Sequence, residues 1–213
     1  IRDSFMSEWL SLYNSKSGER GIVNREALKK KAAENERRDA DYEFGVNPCS
    51  EIILRNKQFC NLTEVVVRPD DNEDTLIAKV EAATILGTFQ ATLTNFRYLT
   101  SKWKHNTEEE SLLGVSLTGI MDNKDMINGK IDLDKLKNIS IDMNKVWAKK
   151  LGIPQSAAIT CVKPSGTVSQ LVDSASGIHT RHSPYYLRTV RADKKDPIAR
   201  MKVDAGVYHE DDL

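Results

Sequence analysis

The sequence predicts an α/β fold with a largely parallel sheet. Apolar segments of strand length at 59–67 and 112–117 alternate with long helical segments at 73–99 and 132–151. Parallel strands need long crossover connections, so helices between successive strands favour parallel pairing. Hydrophobic residues make up 39% and charged residues 29% of the 213 residues, which is the balance of an ordinary globular domain.

Capping residues and apolar periodicity predict the helices. Asn24 and Asp132 each stand one residue before a helical segment, where their side chains can accept hydrogen bonds from the first free amides. Gly152 follows the last residue of such a segment. Asp3 and Ser4 can cap an amphipathic first helix. The predicted helices span 3–17, 25–38, 73–99, 132–151, 164–173 and 196–205.

Apolar and β-branched runs predict the strands. Segment 42–54 has no helical period and contains Gly45 and Pro48, so we predict a loop there. The long segment 73–99 keeps helical spacing throughout its apolar residues, which separates it from the strands. The predicted strands span 59–67, 112–117, 157–162 and 185–190.

Charge and hydropathy exclude several kinds of partner. The 31 basic and 31 acidic residues balance, which gives no electrostatic reason to expect a nucleic-acid polymer. No apolar run reaches the roughly 18 residues of a membrane span, and no signal peptide is visible. An odd count of three cysteines fits a reducing cytoplasm. No histidine stands at zinc-ligand spacing from a cysteine, so no metal site is predicted.

The two ends of the sequence predict an internal segment of a longer protein. The chain begins at Ile1 and stops at Leu213 after an acidic run. We therefore expect part of any functional site to lie outside it.

One group of polar residues surrounds Cys49. In an extended segment, residues two apart point to the same side, so Asn47, Cys49 and Glu51 could face one ligand. Together they supply a sulfur centre, a base and a hydrogen-bonding amide, a set suited to a hydroxylated substrate. Cys60 follows eleven residues after Cys49. A turn that carries an incidental free thiol explains the same residues, and the pattern alone leaves that alternative open.

A second group follows the third predicted strand. Ser165, Gly166, Thr167, Val168 and Ser169 combine a glycine, hydroxyl side chains and the free amides of a helix start, which favour a phosphate. An ordinary capped helix start is the alternative, because many helices begin with serine or threonine.

A third group contains His179, Tyr185 and Tyr186. Read alone, it is a loop histidine followed by packing tyrosines. The pattern does not require a catalytic role for any of the three residues.

Several segments, in the same order, resemble ribonucleotide reductases. Asn47-Pro48-Cys49-Ser50-Glu51 resembles the Asn-Pro-Cys-x-Glu motif of that family, and Cys60 falls where its monomeric adenosylcobalamin-dependent members carry a second active-site cysteine. Residues 163–167 resemble the family's phosphate-binding loop. Several ordered motifs are more specific than any one of them. Further segments that resemble class II members are 17–22, 114–119, 177–179 and 183–186.

The resemblance implies the fold and the roles of the site residues. Residues 1–213 would be part of a ten-stranded α/β barrel, with Cys49 on a central finger loop. Cys49 would become a thiyl radical that abstracts hydrogen from ribose carbon 3, while Glu51 takes the 3-hydroxyl proton and Asn47 holds the ribose. Cys60 would be half of a redox pair that ends as a disulfide, and residues 165–169 would hold the substrate phosphates.

The resemblance also implies cofactor and partners. Adenosylcobalamin would be the radical source, a ribonucleoside triphosphate rather than a diphosphate the substrate, and thioredoxin or a similar dithiol the reductant. The partner of Cys60 would lie outside this sequence, because Cys161 reads as a buried strand residue. We therefore expect the chain to be inactive on its own.

Other functions compete with this interpretation. A class I enzyme would use a tyrosine pair, but Tyr185-Tyr186 follows the phosphate-loop segment too closely, and Glu51 argues against the glycyl-radical class. A non-catalytic nucleotide- or phosphate-binding domain would use residues 165–169 alone. A thiol–disulfide oxidoreductase would use Cys49 and Cys60, although their spacing is not Cys-x-x-Cys.

Overall fold

The computed structural model describes residues 2–16, 21–34 and 36–211, which form two compact units, Ile1–Arg181 and His182–Leu213. The second unit contains one described helix, α8 (Pro197–Asp204). The described helices of the first unit are α1 (Arg2–Ser15), α2 (Arg25–Ala33), α3 (Glu73–Gln90), α4 (Ser101–Glu110), α5 (Lys124–Ile127), α6 (Leu133–Leu151) and α7 (Val168–Leu171), with a 3₁₀ turn at Ile120–Asp122. Its described strands are β1 (Phe44–Val46), β2 (Ile53–Arg55), β3 (Asn61–Val66) and β4 (Leu113–Thr118).

Parallel pairing joins β3 to β4, with Asn61 opposite Leu113 and Val66 opposite Thr118. A third segment continues this arrangement, because Val115 forms a parallel bridge to Thr160. The predicted strand at 157–162 is therefore present only as this isolated bridge. The prediction of a mixed α/β fold with parallel strands is confirmed.

The core lies between one face of this sheet and the helices α3 and α6. Val65, Val67 and Val115 point from the strands toward the buried residues Leu76 and Val80 of α3. Side chains alternate across a strand, so Glu64 and Ser116 belong to the opposite face. We call the surface that carries Leu62, Glu64, Gly114 and Ser116 the site face.

Helix α6 is fixed at both ends and in its middle. The side chain of Asp132 accepts hydrogen bonds from the first amides of the helix, and Gly152 ends it with a left-handed backbone (φ 69°). In the middle, the buried Asn144 donates to the hydroxyls of Thr88 and Ser156 at 3.0 Å and accepts from the Ser156 amide at 3.0 Å. These bonds attach α6 to α3 and to the chain that leads into the third sheet segment.

Helix boundaries differ from the predictions where apolar residues stay exposed. Helix α3 ends at Gln90 rather than at residue 99. Leu93, beyond its end, is exposed, so no apolar contact stabilises a longer helix. Helix α2 ends at Ala33 rather than at residue 38, α7 covers only Val168–Leu171, and α1 begins at Arg2, before its predicted cap. Helix α4 was not predicted, because its sequence is almost wholly polar.

One strand prediction and one loop prediction were wrong. Residues 185–190 form no strand, and Tyr185 and Leu187 are exposed. Residues 42–54 contain β1 and most of β2, which pair antiparallel with Phe44 opposite Arg55. Strands of three residues are too short to show a period in the sequence.

The described helices give no sign of a membrane span. None of them has both the length and the apolar character needed to cross a membrane. The family-like segment 17–22 lies largely outside the described residues, since 17–20 are not among them. The assignment of residues 1–213 to one partial barrel domain stays a prediction.

Candidate active site

The turn between β1 and β2 carries Cys49 at its tip. Asn47 closes the turn, because its side-chain oxygen accepts from the Ile52 amide at 2.9 Å and its backbone oxygen accepts from the Ser50 amide at 2.9 Å. Ser50 takes a left-handed conformation (φ 62°), which reverses the chain. The thiol of Cys49 is exposed as a result.

Glu51 follows Cys49 by two residues but lies in a different environment. Its side chain is 1% exposed, and its Oε1 accepts a hydrogen bond from Lys163 Nζ at 3.3 Å. Its Oε2 is buried without a hydrogen-bond partner among the described residues. Burial raises the pKa of Glu51, but hydrogen bonds from its own backbone, Asn47 and Lys163 outweigh burial, so the pKa lies below its ordinary value. Glu51 is therefore an anion at neutral pH, with one unoccupied oxygen.

The turn geometry differs from the extended segment assumed from the sequence. Asn47, Cys49 and Glu51 are held by a tight turn, so alternation along a strand does not govern their directions. Asn47 closes the turn that carries Cys49, and the same side chain helps to lower the pKa of Glu51.

Cys60 and Cys161 pack near each other on the site face. Both adjoin the apolar cluster of Ile52, Leu112 and Ala157. Burial raises the pKa of each thiol to about 12, and the nearby Glu51 carboxylate adds to both shifts. Both groups therefore stay protonated thiols at neutral pH.

Gly114 makes this packing possible. A Cβ at this position would lie 2.4 Å from Leu62 Cδ2 and 3.0 Å from both Cys161 Sγ and Ile52 Cδ1. The glycine thus lets the hairpin residue Ile52 and the third sheet segment meet over β4.

Two charged residues complete the group: Glu64, which was not predicted, and Lys163, which was named only as the first residue of the phosphate-loop segment 163–167. Lys163 directly follows the third sheet segment, and its backbone amide donates to Ser116 Oγ at 3.2 Å. Both carboxylate oxygens of Glu64 are buried without a partner among the described residues. Burial raises the pKa of Glu64, and the nearby Lys163 ammonium opposes that shift. The sequence signals were the alternation of Glu64 along β3 and, for Lys163, its place in the segment 163–167 at a strand end, which did not indicate a contact with Glu51.

The predicted phosphate loop is ordered by its own serines. Ser165 is buried, and its hydroxyl accepts from the Ser169 amide at 2.8 Å, while the Val168 amide donates to the Ser165 carbonyl at 3.2 Å. Ser169 is buried as well and donates to the Gly166 carbonyl at 3.3 Å. Gly166 (φ 58°) and Thr167 stand exposed at the turn. The donors that face solvent are therefore the amides of Gly166 and Thr167 and the Thr167 hydroxyl.

The remaining candidates lie apart from this group in the sequence. His179 is exposed, and Tyr186 stacks edge-on against His182 within the second unit, with ring centroids 6.2 Å apart. Among residues 2–16, 21–34 and 36–211, no group of three or more His, Cys, Asp or Glu could hold a metal ion.

The fold resembles that of an enzyme of known structure. The crystal structure of a B12-dependent (class II) ribonucleotide reductase superposes with a TM-score of 0.52, covering 63% of this chain and 22% of that one at 24% sequence identity. At this identity the match establishes the similarity of fold.

The sequence is also similar to those of curated reductases. The chain is 27% identical over an alignment of 236 residues to the adenosylcobalamin-dependent ribonucleoside-triphosphate reductase of Lacticaseibacillus paracasei, covering 96% of this chain and 31% of that protein. It is 28% identical over 202 residues to the enzyme of the same name from Euglena gracilis, covering 92% and 27%. No protein-family model matches the chain.

These comparisons confirm the resemblance to class II ribonucleotide reductases and do not favour the class I alternative. The chain spans about a third of the length of the curated relatives that it matches.

Proposed function

We propose that this chain forms part of an adenosylcobalamin-dependent ribonucleotide reductase, which reduces ribonucleoside triphosphates to 2′-deoxyribonucleotides. The observation that carries the proposal is the pairing of an exposed Cys49 with a buried, anionic Glu51 across one tight turn. The similarity to enzymes of this name supports it.

The residues of the turn divide the chemistry at the ribose. Cys49, as a thiyl radical, takes the hydrogen atom from carbon 3 of the ribose. Glu51 accepts the 3-hydroxyl proton at Oε2, the oxygen that has no partner among the described residues. Asn47 keeps Glu51 in place and holds the same region of the ribose.

Cys60 supplies reducing equivalents as a thiol. Reduction of one ribonucleotide consumes two thiols and yields one deoxyribonucleotide, one disulfide and water. The raised pKa of Cys60, about 12, keeps its proton on the sulfur until it is transferred. An external dithiol, thioredoxin or a similar protein, then re-reduces the disulfide.

Adenosylcobalamin, when bound, supplies the radical that Cys49 carries. The exposed position of the Cys49 thiol fits such a group, because a radical source has to reach the sulfur from outside the turn. Among the described residues, the exposed Cys49 thiol is the group that the cofactor would have to approach.

The phosphates of the substrate bind at the loop 165–169. Gly166 and Thr167 make the direct contacts through their exposed amides and the Thr167 hydroxyl. Ser165 and Ser169 hold the loop in shape, and Val168 begins the short helix behind it.

Replacing Thr167 with valine removes one hydroxyl donor and keeps the side-chain shape. We expect KM for the ribonucleotide to rise about 10-fold, the effect of one lost hydrogen bond to a charged group, with kcat nearly unchanged. Steady-state kinetics with the full-length protein measure both constants. Replacing the exposed Leu171, which lies beyond the loop, with methionine is the control and should leave KM unchanged. An unchanged KM in Thr167→Val would remove Thr167 from the phosphate site.

The proposal includes the barrel fold and the finger loop of this enzyme class. The parallel pairing of β3, β4 and the segment around Thr160 is consistent with part of a ten-stranded α/β barrel, and the β1–β2 hairpin with its finger loop. Three free cysteines suit a cytoplasmic protein.

The test of the proposal is direct. We expect the full-length protein, supplied with adenosylcobalamin, a dithiol and a ribonucleoside triphosphate, to form 2′-deoxyribonucleotide, measured by chromatography. Omitting the cofactor should stop the reaction, and a diphosphate should be a poorer substrate than the triphosphate. Nucleotide binding without any product under these conditions would instead identify a non-catalytic nucleotide-binding domain.

A further inference from the structure

Lys163 stands between the ribose-reacting turn and the phosphate loop. Its ammonium lies 3.3 Å from Glu51 Oε1, although 112 residues separate the two in the chain. Its side chain is 27% exposed, whereas that of Glu51 is 1% exposed. A hydrogen-bonded ammonium is thus the main cationic partner of a carboxylate that is almost fully withdrawn from water.

We propose that Lys163 is the positioning residue of this site: it keeps Glu51 anionic and leaves Glu51 Oε2 unoccupied for the substrate hydroxyl. The inference rests on the proposed function, because it assigns a purpose to the base of that reaction. Lys163 occupies only Oε1 and thereby divides the carboxylate into one held oxygen and one available oxygen.

Glu64 is the second carboxyl group near the Lys163 ammonium. Its two buried oxygens have no partner among the described residues, and burial raises its pKa. A single ammonium therefore faces one anionic carboxylate, Glu51, and one carboxyl, Glu64, whose pKa burial raises. The other titratable groups beside Glu51 are Cys60 and Cys161, which are protonated thiols at neutral pH. Lys163 is thus the cation that, together with hydrogen bonds from Asn47 and the Glu51 backbone, offsets the burial of the Glu51 charge.

The backbone of Lys163 ties this role to the phosphate loop. Its amide donates to Ser116 Oγ on β4 at 3.2 Å, and the loop begins two residues later at Ser165. A Cβ on Gly177 would lie 3.2 Å from the Lys163 carbonyl, so the chain on that side packs closely as well. The residue that orients the base is consequently anchored at the start of the segment that holds the phosphates.

Replacing Lys163 with methionine tests the assignment in the full-length enzyme. Without the ammonium, the pKa of Glu51 rises. As the pH falls, the Glu51 carboxylate is therefore protonated, and stops acting as a base, at a higher pH than in the wild type. We expect the acidic limb of the kcat profile to move up by about 1 to 3 pH units, the usual effect of one close opposite charge. At pH 7 kcat should fall by at most about 4-fold, because the pKa of Glu51 starts below its ordinary value, and it should recover as the pH rises. KM should change little.

Two conservative variants separate positioning from packing. Lys163→Arg keeps the positive charge and should restore the wild-type profile within about one pH unit. Glu64→Gln should move the profile far less than Lys163→Met does, because neither Glu64 oxygen forms a hydrogen bond with Lys163. A shift in Glu64→Gln as large as that in Lys163→Met would mean that Glu64 is ionised and shares the ammonium, which contradicts the assignment.

Lys79 offers a matched control. It pairs with the buried Asp71, with side-chain exposures of 37% and 7%, but it lies on α3, away from the site face. Lys79→Met should leave the pH profile unchanged.

A second measurement does not depend on turnover. Infrared difference spectra against Glu51→Gln report the titration of the Glu51 carboxylate itself. An unchanged titration in Lys163→Met would overturn the proposal, whereas wild-type protein that titrates as expected but forms no product would overturn only the proposed function.

Discussion

Under the proposed function, we expect Cys49→Ser to abolish ribonucleotide reduction by the full-length protein, lowering kcat by about 10⁴-fold or more, because it removes the reacting atom itself. An O–H bond is stronger than an S–H bond, so the hydroxyl cannot take the place of the thiol in hydrogen-atom transfer. Cys49 is exposed at a turn, and serine is nearly the same size, so folding is unaffected. Product formation by the full-length protein, measured beside nucleotide affinity, checks the result: affinity should stay within about 2-fold, since no phosphate contact is lost.

Cys161 supplies the control for this experiment. It is a free thiol on the site face but has no assigned part in the reaction, so Cys161→Ala should keep kcat within about 10-fold, allowing for a small packing defect. Measurable reduction by Cys49→Ser, with or without an effect of Cys161→Ala, would remove Cys49 from the radical role.

Arg38→Met loosens the hairpin that carries Cys49 by about 3–5 kcal/mol, the usual cost of leaving one partner of a buried ion pair alone. Arg38 and Glu110 are 2% and 7% exposed, and the guanidinium donates to both carboxylate oxygens, at 2.9 Å and 2.8 Å. Its third nitrogen donates to the Ile53 carbonyl on β2 at 2.9 Å. Hydrogen exchange of the full-length protein should show faster exchange of the β1 and β2 amides.

A double variant and a variant of an exposed ion pair test whether the buried Arg38–Glu110 pair stabilises the hairpin. Arg38→Met combined with Glu110→Leu removes both charges and should recover most of the lost protection, because an apolar pair can replace a buried ion pair. Lys130→Met breaks the exposed pair with Asp125 and should cost at most about 1 kcal/mol. If exchange in Arg38→Met matched that in Lys130→Met, the buried pair would not hold the hairpin.

The sequence predicted those elements whose signals are local. Helix α6 was predicted from Asp132 and Gly152, which act within one turn of the helix ends, and β4 from a continuous apolar run. The hairpin around Cys49 was not, since its three-residue strands give no local signal and β2 is held by Arg38, which Glu110 fixes from elsewhere in the chain.

The same distinction applies to the site. Motif residues such as Cys49 and Glu51 could be recognised from their order, whereas their partners could not. Lys163 meets Glu51 across 112 residues of chain, and no local pattern encodes that contact. Nor did the sequence reveal that Ser165 and Ser169 hold the loop, because the same residue types serve equally well as caps or as ligands.

The order of strand pairing has a consequence for the time at which the site appears. Glu51, Glu64 and Lys163 come from three segments that meet only when β3, β4 and the bridge at Thr160 have aligned. Pairing across such sequence distances carries a large loop-closure cost and is slow compared with helix formation. During synthesis, Cys49 therefore remains an ordinary thiol until the last of the three segments has docked. A chain that stalls earlier holds Cys49 and Glu51 without the Lys163 ammonium beside them, so the complete arrangement belongs only to the finished sheet.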